Sequence, residues 1–432
     1  MSKLSRRAFL KRIGTGLGAA AVAPYVVPDT VTGAGKVASP SERVTCAILG
    51  CGGRGRSVMH HFMRQRDVQW IAASDCRADR LAAVKKQVDR AAGNADCAAY
   101  ADFREMLERP DLDALLIATG NRWHAFATIY AAKAGKDMYC EKPISLTIAE
   151  GRAMVETTTR LGTIYQAGYQ RHSVDSFRFQ IECVHKNLIG DLKEIICQVW
   201  TAPAARPSPV IPVPQGFDYD MWLGPTPWHP FTSARVNGWT LVWDTSGGVI
   251  TDMGCHWTDI AQWGNQTEDT GPVTIEVHEV QWPPPQSLTE VPISAKVALT
   301  YANGVRCIMQ STGGFNERFV RFVGTEGWIQ IDDATNRVTC RPQSLLKIRG
   351  ISAKGWGDPG DHVRNFLDGV KTRRRTVCHP ESAHRAMTVT QLANIALRTG
   401  RDLRWDPQKE RFVECDEANG MIARAVRPPW RL

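Results

Sequence analysis

The sequence predicts an α/β protein in which a doubly wound parallel sheet precedes a second α/β domain with an open, mainly antiparallel sheet. From Val44 to Ala167, short apolar runs alternate with helical periods, which is typical of a parallel sheet with helices on both faces. Beyond Gly168, apolar runs alternate with turn signals such as Ala302-Asn303-Gly304, which favours antiparallel strands. We predict one domain over residues 43–167 and another over residues 168–432, whose C-terminal helices pack back.

The apolar runs and helical periods locate the individual elements. The predicted strands of the first domain are Cys46–Gly50, Val68–Ser74, Ala114–Ala118, Asp137–Cys140 and Thr163–Ala167. Its predicted helices are Arg56–Arg66, Ala78–Ala92, Phe103–Glu108, His124–Ala134 and Thr147–Leu161. The predicted strands of the second domain are Glu194–Trp200, Val273–Gln281, Ile293–Tyr301, Val305–Ser311, Phe319–Gly324 and Trp328–Ile331. Its predicted helices are Ser173–Lys186, Asp358–Val370 and Glu381–Arg398.

Three glycines follow the first predicted strand with the spacing G-x-G-x-x-G, at Gly50, Gly52 and Gly55. In a dinucleotide-binding turn, the first glycine permits the tight turn, the second lets a pyrophosphate approach the backbone, and the third allows close helix packing. Gly53 and Arg54 complete the loop, and the first amides of the next helix face the phosphates in such a site. Because any tight strand-to-helix turn can use glycines, this spacing predicts a Rossmann dinucleotide site only together with the residues that follow.

An acidic residue, Asp75, ends the second predicted strand about 20 residues beyond Gly55. At this position a carboxylate accepts hydrogen bonds from the adenosine ribose hydroxyls and repels a 2′-phosphate. The pattern therefore predicts NAD as the cofactor and disfavours NADP, although Arg77 and Arg80 lie close enough in sequence to soften that preference. An ordinary surface aspartate at a strand end is the alternative.

Polar residues also follow later strands of the first domain. Glu141 and Lys142 directly follow one predicted strand, and Thr119 and His124 follow another. Ligands bind at the carboxyl ends of the strands in open α/β sheets. We therefore predict that these four residues contact the cofactor, with Lys142 toward its nicotinamide end. A solvated loop lysine is the alternative.

The segment Gly247–Asp259 carries a histidine between two carboxylates. If the segment is helical, Asp252, His256 and Asp259 are spaced i, i+4 and i+7 and share one face. An imidazole backed by a carboxylate can take a hydroxyl proton while a hydride leaves the same carbon. We predict Asp252, His256 and Lys142 as catalytic residues. An N-cap aspartate with a packing histidine is the alternative, and no metal site is expected because no third ligand is evident nearby.

The stretch Gly168–Ser173 joins the two predicted domains and therefore borders the cleft between them. Its residues Tyr169, Arg171 and His172 are predicted substrate contacts. Plain structural linkage between the domains is an equal alternative for this stretch.

Tryptophan is concentrated in one part of the chain, with eight of the 14 between residues 200 and 282. Flat aromatic faces suit the apolar faces of sugar rings, although tryptophans in a core are commoner. We place Trp257 and Asp259 at the substrate, next to the predicted catalytic histidine.

The N-terminus resembles a twin-arginine export signal, with Ser5-Arg6-Arg7 before a mildly apolar stretch from Ile13 to Val27. That stretch has about 15 residues, fewer than the roughly 20 that span a bilayer. We predict a signal and linker over residues 1–40, no stable membrane span, and a periplasmic or otherwise extracytoplasmic location reached through the twin-arginine export machinery. A short membrane anchor and a disordered tail are the alternatives.

The composition is that of an ordinary globular protein, with 43% hydrophobic and 22% charged residues. The formal net charge of +9 falls to +4 without residues 1–38, which hold six basic residues and one acidic residue. No basic stripe remains, so nucleic acid is not a predicted partner. The twelve cysteines form no C-x-x-C pair, which predicts scattered buried thiols and no zinc site, and leaves disulfides open.

Taken in order, these motifs resemble the Gfo/Idh/MocA superfamily of glucose–fructose oxidoreductase, inositol dehydrogenase and rhizopine-catabolism proteins. The resemblance runs from about Val44 to the C-terminus and rests on Gly50–Gly55, Glu141-Lys142-Pro143, Asp252-x-x-x-His256 and Asn394-Ile395-Ala396-Leu397-Arg398. It implies that Lys142 orients the reacting hydroxyl, that His256 is the acid–base group, and that Asp252 is its partner at the substrate. It also implies an open sheet that covers the active site and often makes subunit contacts, hence a homo-oligomer.

The leader and the Trp-rich and Pro-rich stretches Trp222–Trp228 and Arg427–Trp430 look like the exported branch of this superfamily. In one place the chain departs from the common pattern. Relatives often have Thr-Pro-Asp/Asn-x-x-His after the fourth strand, whereas this chain has Thr119-Gly120-Asn121-Arg122-Trp123-His124. The proline is missing and the His124 position is kept.

We predict an NAD-dependent oxidoreductase that acts on a secondary alcohol of a small carbohydrate. An extracytoplasmic compartment has no expected supply of free NAD(H), so a bound cofactor that is reduced and reoxidised in one cycle avoids stalling. Two outcomes fit this scheme: hydride exchange between sugars, or NAD-dependent glycosidase chemistry through transient oxidation and elimination. A non-catalytic NAD-binding protein and a cytoplasmic dehydrogenase with a fortuitous leader are further alternatives.

Overall fold

In the computed structural model, which describes residues 38–348 and 359–432, the first sheet has six parallel strands. In chain order they are β1 (Val44–Leu49), β2 (Val68–Ser74), β3 (Ala98–Tyr100), β4 (Ala114–Ile117), β5 (Asp137–Cys140) and β6 (Tyr165–Ala167). Their order across the sheet, β3-β2-β1-β4-β5-β6, is that of dinucleotide-binding Rossmann folds. The predicted parallel sheet is confirmed. Strand β3 was missed because three residues are too few to produce a pattern.

Five helices cover this sheet within the described part of the chain. They are α1 (Gly53–Met63), α2 (Ala78–Ala92), α3 (Phe103–Leu107), α4 (Asn121–Lys133) and α5 (Ile148–Leu161). Helices α1 and α4 begin three residues before their predicted starts, because Gly52 and Gly120 are their N-caps and have extended backbone. Both glycine-containing loops therefore run directly into a helix N-terminus at the carboxyl edge of the sheet.

Backbone packing without side chains holds β1, α1 and the loop after β4 together. Gly50 has a positive φ of 96°, and a Cβ added there would lie 2.5 Å from the carbonyl oxygen of Ala118. A Cβ added to Gly55 would lie 2.2 Å from the carbonyl oxygen of Gly50. Since real Cβ atoms do not approach backbone this closely, both positions require glycine.

The second sheet has nine strands among the described residues. They are β7 (Leu192–Trp200), β8 (Pro272–Gln281), β9 (Ser294–Tyr301), β10 (Arg306–Gly313), β11 (Phe319–Gly324), β12 (Trp328–Asp332), β13 (Arg337–Arg341), β14 (Leu403–Asp406) and β15 (Arg411–Phe412). Their order is β13-β12-β11-β7-β10-β9-β8-β14-β15, and β7 pairs with β10 in parallel while the other ladders are antiparallel. The predicted open, mainly antiparallel sheet is confirmed.

The helices of the second half of the described chain lie in sequence order around this sheet. They are α6 (Asp175–His185), α7 (Tyr219–Leu223), α8 (Ser233–Asn237), α9 (Gly248–Asp252), α10 (Gly254–Gly264), α11 (Pro359–Thr372), α12 (Pro380–Thr399) and α13 (Asp416–Gly420). Helices α6, α10 and α12 contact the sheet, and their core includes the fully buried Phe177, Trp257 and Leu392. Helix α12 also packs on α5, so the last long helix contacts both halves.

Residues Val44–Leu432 group into one compact unit. The predicted export signal, including Arg6 and Arg7, lies outside the described residues, and the described residues before Val44 contain a short 3-10 turn at Pro40–Glu42. No helix in the described ranges combines the length and apolarity needed to cross a bilayer. All twelve cysteines fall within those ranges and are free thiols.

Replacing Gly55 should test the backbone packing at the glycine turn. We expect Gly55→Ala to lower the unfolding free energy of the cofactor-free protein by about 1–3 kcal/mol, because the added methyl group forces α1 away from β1. Gly53→Ala is the matched control, since a Cβ at Gly53 meets no atom within 4 Å. Denaturant unfolding of both variants measures the difference, and equal stabilities would contradict the close contact.

Candidate active site

Two adjoining cavities lie at the carboxyl edge of the parallel sheet. The first, of about 280 Å³, is lined by the glycine turn and Asp75, and we call it the glycine-loop cavity. The second, of about 520 Å³, is lined by Glu141, Lys142 and His256, and we call it the lysine cavity. Both are lined by Arg54, Ala118, Thr119 and Trp239, so they form one continuous cleft.

The glycine-loop cavity brings together most of the predicted cofactor-binding residues. The predicted residues that line it are Gly50, Gly52, Gly53, Arg54, Asp75 and Thr119. Gly55 lies behind them, packed on the carbonyl of Gly50. The N-terminal turn of α1 begins in this loop, so its unpaired amides and the helix dipole favour an anion here.

Asp75 shapes this loop. Its Oδ2 accepts a hydrogen bond from the Cys51 amide at 2.6 Å, and its Oδ1 accepts one from the Arg77 amide at 2.8 Å. Burial raises the pKa of Asp75, against the opposing effect of these amides. Each carboxylate oxygen has a further lone pair, so the side chain can hold the turn and still accept from ribose hydroxyls.

The three predicted catalytic residues, Lys142, Asp252 and His256, line the lysine cavity together. The Lys142 ammonium donates to the carbonyl oxygen of Asp252 at 2.7 Å and lies 3.4 Å from its carboxylate. The predicted continuous helical face is wrong, because α9 ends at Asp252 and α10 begins at Gly254. The break at Met253 turns the Asp252 carboxylate to Lys142.

His256 is buried and lies in the first turn of α10. Its Nδ1 has no hydrogen-bond partner among the described residues, and its ring meets the edge of the Tyr169 ring at 5.9 Å between centroids. Burial, together with the positive charges of Arg171 and Lys142, lowers the pKa of His256 well below its usual value. The imidazole is therefore neutral near pH 7 and able to accept a proton.

Glu141 is a buried carboxylate held by neighbours in the cleft. Its Oε1 accepts hydrogen bonds from Arg54 and Gln170, each at 2.9 Å. Burial raises the pKa of Glu141, but Arg54 outweighs this effect and the pKa is lowered overall. Its Oε2 is buried and has no partner among the described residues. An ionised acceptor is thus presented at the wall of the lysine cavity.

His124 braces two loops at the edge of the lysine cavity. Its Nδ1 lies 2.6 Å from the Pro143 carbonyl oxygen, and its Nε2 lies 3.2 Å from that of Thr119. Burial lowers the pKa of His124, so the ring is neutral and carries one N–H, which the shorter contact assigns to Nδ1. The side chain thus fixes the positions of the loops that follow β4 and β5.

Of the predicted substrate contacts, Arg171 lines the lysine cavity, where its Nη2 donates to Asp333 at 2.7 Å. Trp257 is a correction. It is fully buried in the second domain, stacks on Phe177 and donates its indole N–H to the Gln198 carbonyl at 2.9 Å. One residue along a helix turns a side chain by about 100°, so Trp257 faces the sheet while His256 faces the cleft.

Tyr169, His172 and Asp259 are also corrected, because they are buried and line neither cavity. His172 Nε2 lies 3.0 Å from Asp259 Oδ2, and its ring stacks on Trp263 at 4.2 Å. Burial lowers the pKa of His172, but Asp259 outweighs this effect and raises it overall. These residues join the domain crossover to α10, and the Cys378 thiol lies within 4.8 Å of their ligand atoms.

Several cleft residues were not predicted. They are Asn121, Arg122, Trp123, Gln170, Met221, Trp222 and Trp239. Asn121 donates to the Ser246 hydroxyl at 3.0 Å, and Gln170 donates to the Tyr139 hydroxyl at 2.7 Å as well as to Glu141. The aromatic richness of residues 200–243 was the signal for Trp222 and Trp239, but it did not say which tryptophans reach the cleft.

Comparison with known proteins agrees with this arrangement. Residues 44–169 match the Gfo/Idh/MocA model described as an oxidoreductase family with an NAD-binding Rossmann fold, and residues 198–432 match the model for its C-terminal alpha/beta domain. The chain belongs to the Gfo/Idh/MocA oxidoreductase family. Its cofactor is NAD, and the glycine turn, the helix N-terminus and the buried Asp75 of the glycine-loop cavity fit a dinucleotide.

Individual Gfo/Idh/MocA relatives match over part or all of their length. The chain is 31% identical to the myo-inositol 2-dehydrogenase of Thermotoga maritima over 191 residues, 44% of this chain and 53% of that protein. It is 31% identical to a glycosyl hydrolase family 109 protein of Shewanella sp. (strain ANA-3) over 36% of this chain and 37% of that protein. These matches thus span about half or less of either relative.

A solved structure shows the same fold. The crystal structure of aldose-aldose oxidoreductase from Caulobacter crescentus superposes with a TM-score of 0.63 at 20% sequence identity. The superposition covers 84% of this chain and 99% of that one.

The contrasting environments of two buried histidines lead to a prediction about their titration. We expect the His172 imidazole to protonate above pH 6.5 and that of His256 to stay neutral until well below pH 6.5, because His172 faces a carboxylate and His256 faces cations. Histidine-selective NMR titration measures both, with His172→Gln and His256→Gln assigning the signals. A His256 signal that titrates at or above pH 6.5 would contradict this electrostatic picture.

Proposed function

We propose that this protein transfers hydride between NAD and a secondary alcohol carbon of a sugar or sugar derivative. The observation that carries the proposal is the meeting of the Lys142 ammonium and the neutral His256 imidazole in the lysine cavity, which adjoins the glycine-loop cavity. An acid–base group and a cation at a carbon facing the nicotinamide are what alcohol oxidation requires.

The chain supplies proton transfer and charge stabilisation in this scheme. Bound NAD supplies the hydride acceptor. The Lys142 ammonium has three N–H donors, of which one serves the Asp252 carbonyl and another points toward its carboxylate, so one remains for the substrate oxygen. The neutral His256 ring takes the hydroxyl proton as the carbonyl forms, and Asp252 keeps Lys142 in place.

The walls of the lysine cavity support a polyhydroxylated substrate. Glu141 Oε2 is an unpaired acceptor for a hydroxyl, and Arg171 adds donors on the opposite side of the chain crossover. Trp239 contributes a flat aromatic surface where the two cavities meet. The names of the Thermotoga and Caulobacter proteins, an inositol dehydrogenase and an aldose oxidoreductase, support cyclic polyols and sugars as the substrate class.

A second candidate is NAD-dependent glycosidase chemistry with a recycled cofactor. Oxidation of one ring carbon acidifies the C–H beside it; loss of that proton expels the glycosidic oxygen, water adds, and hydride returns to the first carbon. The net change is hydrolysis without redox. Helix α7, which places Met221 and Trp222 over the glycine-loop cavity, favours a retained cofactor, and the Shewanella family 109 relative supports the same outcome.

We also propose that the protein is exported through the twin-arginine route and forms a homo-oligomer. The Arg6-Arg7 pattern supports export, because that route carries folded proteins with cofactor inside. The second sheet supports self-association, because Phe315 is 62% exposed beside Trp200 at 4.8 Å between ring centroids.

Removing the proposed proton acceptor should separate catalysis from cofactor binding. We expect His256→Asn to lower turnover by roughly 10²–10⁴-fold while NAD affinity is unchanged, because His256 does not line the glycine-loop cavity. Steady-state kinetics and NAD titration check both parts. His278→Asn, at an exposed position of β8, is the control. Turnover near the normal rate would remove His256 from the mechanism.

Cofactor retention and product analysis should distinguish net redox from hydrolysis. We expect protein purified from the extracytoplasmic fraction without added NAD to carry dinucleotide, visible as reduced-nicotinamide absorbance after sugar is added. A glycan panel scored for both oxidised product and released sugar then identifies the outcome. Cofactor-free protein that consumes added NAD stoichiometrically with product would contradict the recycled-cofactor scheme and leave the simple dehydrogenase.

A further inference from the structure

A buried arginine of the glycine-loop cavity has no counterion. Arg122 lies in the first turn of α4, is 3% exposed, and lines the cavity with Gly50, Gly52 and Asp75. Its guanidinium folds back over Gly120, since a Cβ added there would lie 2.6 Å from Arg122 Nη1. The cation is thus placed at the N-terminus of α4, beside the glycine turn.

The contacts of this guanidinium are with neutral groups. Its Nε donates to the carbonyl oxygen of Trp222 at 2.5 Å, and its centre lies 3.9 Å from the Trp222 ring and 6.0 Å from the Trp239 ring. Its Nη1 is buried and has no hydrogen-bond partner among the described residues. In that same part of the chain no carboxylate forms an ion pair with it.

Other arginines of the cleft are paired. Arg54 meets Glu141 at 2.9 Å, and Arg171 meets Asp333 at 2.7 Å. Burial lowers the pKa of Arg122 to about 10, which leaves it charged at neutral pH. A buried cation without a partner costs several kcal/mol, so an anion that binds beside Arg122 recovers this energy.

We propose that Arg122 binds the pyrophosphate of NAD, with Nη1 donating to a phosphate oxygen. The chemistry fits, because guanidinium N–H groups match phosphate geometry and the cavity already offers the helix N-terminus of α1. The topology fits as well: β4 and β2 lie on opposite sides of β1, so Arg122 and Asp75 follow strands that flank the glycine turn. The pyrophosphate crosses this turn in Rossmann sites.

The same guanidinium ties the phosphate position to α7, which comes from the second half of the chain. Besides the Arg122 contacts with Trp222, the Trp123 indole donates to the Met221 carbonyl at 2.9 Å. Phe217 forms a β-bridge with Arg77, directly beyond Asp75. A phosphate held by Arg122 therefore restrains the group that supports α7, and we expect slow release of the dinucleotide.

Ligand binding to the full-length protein tests the proposal. We expect Arg122→Gln to weaken NAD and ADP-ribose about 10- to 100-fold, the worth of a hydrogen bond to a charged group. Adenosine, which has no phosphate, should bind unchanged. Arg122→Lys should be intermediate, and its dissociation rate for NAD in stopped-flow should exceed that of the native protein. Arg90→Gln, which removes an exposed charge at the end of α2, is the control.

Thermal unfolding distinguishes a binding role from a structural one. Without ligand, Arg122→Met should be no less stable than the native protein, because it removes an uncompensated charge, while its gain in Tm on adding NAD should be smaller. A lower Tm with an unchanged gain on adding NAD would make Arg122 structural and overturn the proposal.

Two other results would also overturn it. If Arg122→Gln weakens NADP far more than NAD, the residue serves a 2′-phosphate. If ADP-ribose binding is unchanged while acidic sugars bind the NAD-loaded protein more weakly, it serves a substrate anion. Both results leave the proposed sugar oxidoreductase function intact.

Discussion

The site depends on a place where backbone meets backbone without side chains between. Gly55 packs on the Gly50 carbonyl, and Gly50 packs on the Ala118 carbonyl. These contacts bring the N-termini of α1 and α4 to the same edge of the sheet, where two sets of unpaired amides face one cavity. A single methyl group at Gly50 or Gly55 would separate the elements on which both cavities rest.

The charges of the cleft are arranged unequally. Arg54, Arg122, Lys142 and Arg171 outnumber the carboxylates of Glu141 and Asp252 that share its walls. This excess keeps Glu141 ionised despite burial and keeps the His256 imidazole neutral. The same excess awaits an anionic ligand, so binding of the dinucleotide and the protonation state of the proposed base are electrostatically related.

Sequence patterns predicted the class and order of the elements, because apolar periodicity and glycine spacing are local properties. They also predicted the residues of the glycine turn and placed Lys142, Asp252 and His256 in one cavity. They failed where long-range contacts decide the outcome. Nothing local says that Asp252 turns to Lys142 at the break after α9, or that Trp257 faces the sheet when its neighbour faces the cleft. The start of α4 was missed because Gly120 caps it in place of the usual proline pattern.

Helix α7 has a consequence for protein engineering. Met221, Trp222 and Trp239 come from beyond the crossover at Gly168, yet they line the cavity of the Rossmann half. The boundary that the chain draws between its two sheets is therefore not the boundary of its nucleotide-binding module. A Rossmann half grafted onto another catalytic partner would leave Arg122 and Trp123 exposed on one side. A functional transplant would have to carry residues 217–239 with it.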